Sequence, residues 1–295
     1  MDINFELYKI FYFAAKSENF SDAAEKLYIS QSAVSQAIKS LEEKTGSVLF
    51  FRKRRRVKLT VEGQILFKHI EQAYHFIKTA ENKLLEAQNL ESGEIRIGAS
   101  DTVCRYFLIP YLQKFSIEHP KVKIKVVNRT STQITSILQN GMIDIGIVTL
   151  PVQDSSTNCS EFLTVQDIFV ASPKYSGIKN RKIAVKGLLL NYPILALPQN
   201  STTRKNLDIY LSQYGLSLLP EIELESIDLL VEFARIGLGV AHVLRESALN
   251  YINSGELFQV ETLEKLPLRT LGIITVGSVP PSRAADEFIK LLTEK

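Results

Sequence analysis

Residues 19–60, NFSDAAEKLYISQSAVSQAIKSLEEKTGSVLFFRKRRRVKLT, decide the fold of the first third of this chain. Ser21 reads as an N-cap, and Ala23, Ala24 and Leu27 follow at helical spacing, so a short helix is predicted. Tyr28 and Ile29 form a turn. Ser30 caps a second helix whose Val34, Ile38 and Leu41 fall in one narrow arc and must face a core, and Gly46 ends it. The opposite arc carries Ser32, Ser35, Gln36 and Lys39, with Gln31 in the first turn. Such a face is free of carboxylates and rich in groups that pair with base edges, which suits a helix lying in the DNA major groove.

A helical hairpin with a polar outer face is common in proteins that never meet DNA. What decides between the readings is the run Arg52, Lys53, Arg54, Arg55, Arg56 and Lys58, broken by Val57 and followed by Leu59. Alternating Val57 and Leu59 predict a strand, so the segment reads as a wing whose cationic tip reaches backbone phosphates. Charge distribution agrees. Residues 1 to 90 hold 14 of the 35 Lys and Arg and 11 of the 32 Asp and Glu, and the remainder is balanced at 21 each, so the net charge of +3 belongs to the first third.

At this point the stretch resembles the winged helix-turn-helix of LysR-type transcriptional regulators. The resemblance rests, in order, on Ala23, Ala24, Leu27, Ser30, Gln31, Val34, Ser35, Leu41, Glu42, Gly46, Leu49, Phe50, Arg52, Val57, Leu59, Thr60 and Gly63. Four positions depart from the pattern. Ser32 stands where proline is frequent, Phe51 where a polar residue is common, and Lys53 with Arg54 at a more neutral tip, so no operator preference carries over.

After Gly63, the residues Leu66, Ile70, Ala73, Ile77, Ala80, Leu84 and Ala87 recur with alternating spacings of four and three, a heptad seam over about six turns of helix. The seam predicts pairing with a second copy of the chain, so that two reading heads address an inverted repeat in double-stranded DNA. Packing of the helix on its own C-terminal domain is the alternative. The family resemblance implies a linker-helix homodimer, with homotetramers common.

Glu91, Ser92 and Gly93 break the helix. Strands then alternate with helices: Glu94–Ala99, a helix over Val103–Glu118, Lys123–Asn128, a helix over Ser131–Gln139, and Ile143–Val148. The order repeats with Tyr192–Leu197, a helix over Thr203–Tyr214, Ile222–Leu224, a helix over Ile227–Ile236 and Gly239–Val243. This pattern predicts α/β architecture with parallel sheets. The resemblance implies a two-lobed, periplasmic-binding-protein-like (type II) effector domain, with Thr270–Val276 and the last helix returning to the first lobe. The expected organisation is a winged helix-turn-helix at 1–60, a linker helix at 61–90 and an effector domain at 91–295. Within that domain, one lobe takes 91–162 and 268–295 and the other 163–267.

Open α/β sheets bind ligands at the carboxyl ends of strands, where loops enter helix N-termini. Three such loops carry hydroxyls, and alignment with the family marks Ser100, Thr102, Thr130, Ser131, Thr202 and Thr203, with Thr149 at the hinge, as effector positions; Asp101, beside Ser100, is a further candidate. Helix capping alone explains any one of these hydroxyls. Helix N-termini favour a small anion as the effector, and Asp101 opposes one unless it points away.

Other residues support less. Cys104 and Cys159 form neither a disulfide framework nor a metal spacing, and an idle thiol outweighs a redox role for Cys104. His242 reads as a core histidine, with ligand contact or pH sensing as the sharper alternative. No nucleophile elbow, glycine-rich phosphate loop or metal motif stands out, so neither an enzyme nor a cofactor is expected. No signal or membrane-spanning stretch is read, and the expected location is the cytoplasm. Competing classes are a solute-binding protein or enzyme of the same two-lobed fold, and a constitutive DNA-binding protein.

Overall fold

A computed structural model describes residues 3–17, 19–53, 56–88, 93–152, 156–277 and 280–294; the side chains of 52, 53, 56, 82, 83 and 85–88 lie outside the description. The chain divides into two compact units, the first holding Met1–Gln88 and the second nearly all of the rest.

The first unit opens with α1 (Phe5–Ala15), α2 (Phe20–Leu27) and α3 (Gln31–Thr45). Asn19, not Ser21, caps α2: its side chain accepts the Asp22 N–H at 2.9 Å, and the helix begins two residues before the sequence reading placed it. Both are good capping residues, but Phe20 is buried with Ala23 and Ala24, and that burial draws it into the helix. The next turn passes through Tyr28, whose φ of 55° is left-handed. Ser30 caps α3 through the Ala33 N–H at 3.1 Å, and Gly46, at φ 66°, ends it. Val34, Ile38 and Leu41 are fully buried with Phe11, Phe20 and Phe50, whose rings meet at 5.5 and 5.4 Å.

Strands β1 (Phe50–Lys53) and β2 (Arg56–Leu59) pair antiparallel, with Arg52 opposite Val57, and make the wing. Thr60 then turns the chain into α4 (Val61–Gln88). Its hydroxyl donates to the Val48 carbonyl at 2.7 Å and accepts the Gly63 N–H at 2.9 Å. The head does not stop at residue 60. Leu66, Phe67 and Ile70 of α4 pack against its core, Tyr74 stacks on Tyr12 at 4.2 Å, and Glu71 pairs with Lys16 at 2.9 Å. Two members of the heptad seam, Leu66 and Ile70, therefore serve the head itself. Beyond them the stripe comes free, with Ile77 40% and Leu84 65% exposed and Ala80 exposed between them.

In the second unit the first lobe runs β3 (Gly93–Ala99), α5 (Asp101–Val103), a π-helical turn (Cys104–Leu108), α6 (Ile109–Glu118), β4 (Val122–Asn128), α7 (Ser131–Gln139) and β5 (Ile145–Thr149). Next comes β6 (Thr157–Ala171), a fifteen-residue strand absent from the sequence reading. The second lobe follows with a 3₁₀ segment (Pro173–Ile178), α8 (Val185–Asn191), β7 (Ile194–Ala196), α9 (Thr202–Ser212), β8 (Ile222–Glu223), α10 (Ile227–Arg235), β9 (Val240–Leu244), α11 (Arg245–Asn253) and β10 (Phe258–Val260). Finally β11 (Leu268–Val276) and α12 (Arg283–Thr293) return to the first lobe, where Phe288 of α12 meets Phe115 of α6 edge-on at 5.1 Å.

Strand order is β4-β3-β5-β11-β6-β9-β7-β8, with β10 on β6. Parallel pairs β3–β4, β3–β5, β7–β8 and β7–β9 form the two lobes, and antiparallel β11 and β6 cross between them. β6 pairs with β11 as far as Gln166 and with β9 from Asp167. The change of partner thus falls four residues beyond the expected lobe boundary at 162/163, inside one unbroken strand. The β6–β11 ladder shifts register between Leu163 and Glu161, beside the expected boundary, and the strand itself continues through the irregularity.

Candidate DNA interface and ligand cleft

The geometry of α3 separates its two faces cleanly. Gln31, Ser32, Gln36 and Lys39 are exposed and Ser35 is half-buried, opposite the buried Val34, Ile38 and Leu41. The Ser30 and Ser32 hydroxyls meet at 2.8 Å, which fixes the first turn of the helix. Lys39 stands 3.8 Å from Glu43, an exposed pair of little energetic weight that leaves the ammonium available to phosphate. Arg52, Lys53 and Arg56 lie on the wing strands, and Arg54 and Arg55 fall outside the described residues. Glu42 has a structural task that its position alone did not suggest: its carboxylate accepts the Leu49 and Phe50 N–H groups at 2.8 and 3.3 Å, tying α3 to the start of the wing.

In the second unit, Ser100, Asp101, Thr102, Thr130, Ser131, Thr149, Thr202 and Thr203 all line one cavity of about 270 Å³ at the meeting of the two lobes. Two of their hydroxyls cap helices: Ser100 accepts the Val103 N–H at 3.3 Å and Thr130 the Gln133 N–H at 3.4 Å, while Ser131 accepts the N–H of Thr149 at the end of β5 at 3.2 Å. The neighbouring Ser201 caps α9 through Arg204 at 3.1 Å. The hydroxyls of Thr102, Thr202 and Thr203 find no partner within the protein among the described residues. Capping therefore accounts for part of the cluster and leaves three side chains facing the cavity without a structural duty.

Sequence reasoning missed the charged wall of this cavity. Arg269 of β11 donates from Nε and Nη2 to the two carboxylate oxygens of Asp167 at 2.5 and 2.6 Å, and from Nη1 to Thr149 Oγ1 at 3.2 Å. Asp167 and Thr149 are buried. Arg129 and Glu225 also line the cavity, and Phe107, Val165, Leu197, Ile227, Leu244 and Leu271 supply its apolar surface. Behind the α9 side, the fully buried Arg204 donates to the carbonyls of Leu197 and Leu218 at 3.2 and 3.0 Å and pairs with Asp208 at 2.8 Å, fixing the loop that presents Thr202 and Thr203. At the cleft edge, Arg105 and Tyr106 from the π-helical turn both reach Asp228 of α10, at 3.0 and 2.5 Å.

Asp101 lines the cavity and is exposed. Burial pushes the Cys104 thiol up to about 11, with the nearby Asp101 charge adding to the effect, and its Sγ rests 3.3 Å from Asn128 Oδ1. A thiol held protonated is a poor nucleophile, which favours the idle reading. His242 lies against Phe169 at 5.1 Å, is not among the cavity residues, and is held down to about 4 by burial. Among the described residues no helix is long and apolar enough to cross a membrane.

A head with a reading helix and wing, a long helix, and a two-lobed ligand-binding module define the class of a ligand-responsive DNA regulator. The family models agree: the bacterial regulatory helix-turn-helix of the LysR family matches residues 5–64, and the LysR substrate binding domain matches residues 88–295. The chain is 31% identical over 283 residues to a probable RuBisCO transcriptional regulator of Phaeodactylum tricornutum, covering 93% of this chain and 91% of that protein. A protein of the same name from Cyanidium caldarium is 30% identical over 277 residues, covering 92% and 87%. Among solved structures, a full-length OxyR variant from Pseudomonas aeruginosa superposes with a TM-score of 0.74 at 18% identity, covering 99% of this chain and 95% of that one. Full-length CbnR in complex with its target DNA gives 0.69 at 15% identity, covering 98% and 99%. The chain belongs to the LysR family of transcriptional regulators, with an N-terminal DNA-binding head and a C-terminal effector-binding domain.

Proposed function

We propose that this regulator works as a homodimer or homotetramer on an interrupted inverted repeat. Residues Ser30, Gln31, Ser32, Ser35, Gln36 and Lys39 read base edges, and Arg52, Lys53, Arg54, Arg55 and Arg56 hold the phosphate backbone. The stripe of α4, from Ala73 through Ile77, Ala80 and Leu84, with Ala87 beyond the described side chains, joins two copies. A small molecule in the cleft of Ser100, Thr102, Thr130, Ser131, Thr149, Thr202 and Thr203 biases the assembly between two half-site spacings. It can do so only by binding two states unequally. Function is regulatory and not catalytic, and the site of action is the cytoplasm. The observation that carries this reading is the convergence of hydroxyls from both lobes on one cavity, three of them without a structural duty.

The relatives' name directs the operator search first to RuBisCO promoters. Binding should be titrated on operators with altered half-site separation, with and without a metabolite that raises the melting temperature in a thermal-shift screen. An effector-dependent change in spacing preference is expected, and an unchanged preference overturns the mechanism. Gln31→Ala should alter base preference, whereas Arg54→Ala should weaken binding to all sequences and reduce the salt slope by about one.

A further inference from the structure

We infer that Arg269, oriented by Asp167, is the charge-reading residue of the cleft, and that the ligand it selects is a small hydroxy acid bearing a single carboxylate. The inference rests on the cleft reading above and names the ligand class for that site.

A guanidinium has five N–H donors, and three of those on Arg269 are committed, two to Asp167 and one to Thr149. Two remain without a protein partner among the described residues, on a side chain that lines the cavity and is only 9% exposed. A buried ion pair is weak evidence for stability, because desolvation offsets most of its attraction. Its bidentate geometry instead locks the plane of the guanidinium, as a supporting residue does for a binding group. Arg269 lines this cavity, and also the neighbouring one bounded by Leu150, Cys159 and Tyr210, with its guanidinium plane preset for one more planar acceptor such as a carboxylate.

The local charge limits what that acceptor brings with it. Arg129 and Arg269 line the cavity, as do Asp101 and Glu225, and Asp167 stands behind Arg269. Formal charges therefore sum to minus one, and the N-termini of α7 and α9 offset this by roughly half a positive charge each. One added negative charge is accommodated at the Arg269 fork. A phosphorylated acid adds two or three, and the excess meets Asp101 and Glu225. The hydroxyls of Thr102, Thr202 and Thr203, without a protein partner among the described residues, can pair with hydroxyls on the ligand body. At about 270 Å³ the cavity lies below the range of roughly 300–1,000 Å³ that holds drug-sized ligands.

The test is isothermal titration of the full-length protein with glycolate, D-glycerate and D-gluconate, with the phosphorylated counterpart of each, and with glycerol. At least one hydroxy acid should bind ten-fold or more tightly than its phosphorylated counterpart and than glycerol. Arg269→Gln should weaken that binding at least thirty-fold, and Arg269→Lys, which keeps the charge and loses the fork, about ten-fold. Asp167→Asn should weaken it several-fold and shift preference toward the phosphorylated acid, a change that a purely structural ion pair would not produce. Melting curves of the unliganded variants confirm that each is folded.

Tighter binding of the phosphorylated acids or of glycerol, absence of binding throughout the series, or an unchanged affinity in folded Arg269→Gln each overturns the assignment. The cleft reading has its own control in the pair Thr202→Val with Thr203→Val. If these weaken a bound hydroxy acid and Arg269→Gln does not, the cleft stands and its charge reader is elsewhere. If neither affects it, the ligand sits outside the cleft.

Discussion

The carboxylate of Glu42, in the last turn of the reading helix, accepts the backbone N–H of Leu49 at 2.8 Å, so one side chain sets where the wing departs from α3. A second bond to Phe50 at 3.3 Å belongs to the same carboxylate. Glu42→Ala leaves both amides without this acceptor next to the buried Leu49 and Phe50 side chains, at a cost of about 1–3 kcal/mol. Thermal unfolding of the full-length protein should show the loss, with Glu42→Gln intermediate because its amide oxygen still accepts. Equal melting temperatures for all three proteins would contradict this role.

Gly63 is required by close approach. A Cβ built there falls 2.1 Å from the Leu49 carbonyl oxygen and 3.1 Å from Leu59 Cδ2. Gly63→Ala should destabilise the head by about 2 kcal/mol or more, since backbone must move to admit the methyl. Lowered thermal stability together with weakened DNA binding is expected, and a variant as stable as the parent would refute the packing argument.

His242 makes stability depend on pH in a defined window. Burial holds its folded value at about 4, below the ordinary 6.5, so the unfolded chain takes up the proton first as pH falls. Its contribution is fully present above pH 6.5 and is lost as pH falls to about 4, reaching roughly 3 kcal/mol. Denaturant titrations from pH 7 to 4 should therefore fall less steeply for His242→Leu than for the parent. Parallel curves would show that His242 is not responsible.

The free part of the α4 stripe should hold copies together. Ile77→Glu combined with Leu84→Glu places two charges on surface that is now apolar and 40% and 65% exposed. Light scattering should report a smaller assembly, and operator affinity should drop because two linked heads become one. An unchanged molar mass would assign the stripe to another task.

Much of this was legible because helices and their ends are local. Ser30 and Gly46 announce α3 through properties of single residues, and Val34, Ile38 and Leu41 declare its buried face by spacing alone. The three hydroxyl loops of the cleft were legible for the same reason, since each precedes a helix. What escaped was non-local. Arg269 and Asp167 are 102 residues apart, and no periodicity links them. β6 hid because its first half is largely exposed and its second half is buried on both faces, so neither alternation nor a continuous apolar run persists. Seven evenly spaced apolar residues on α4 looked like one seam, yet the fold divides them: Leu66 and Ile70 turn inward to the head, as a packing surface nearby always competes with a partner at a distance.

The unbroken course of β6 gives the effector domain its mechanics. The strand changes partner between Gln166 and Asp167 without leaving extended pairing, and β11 runs beside it from Leu268. Two hydrogen-bonded strands thus join the lobes as one ribbon and not as a flexible loop. On the assignment proposed above, a ligand at Arg269 would sit on this ribbon with Asp167 behind the guanidinium, so that a change of twist there would move both lobes.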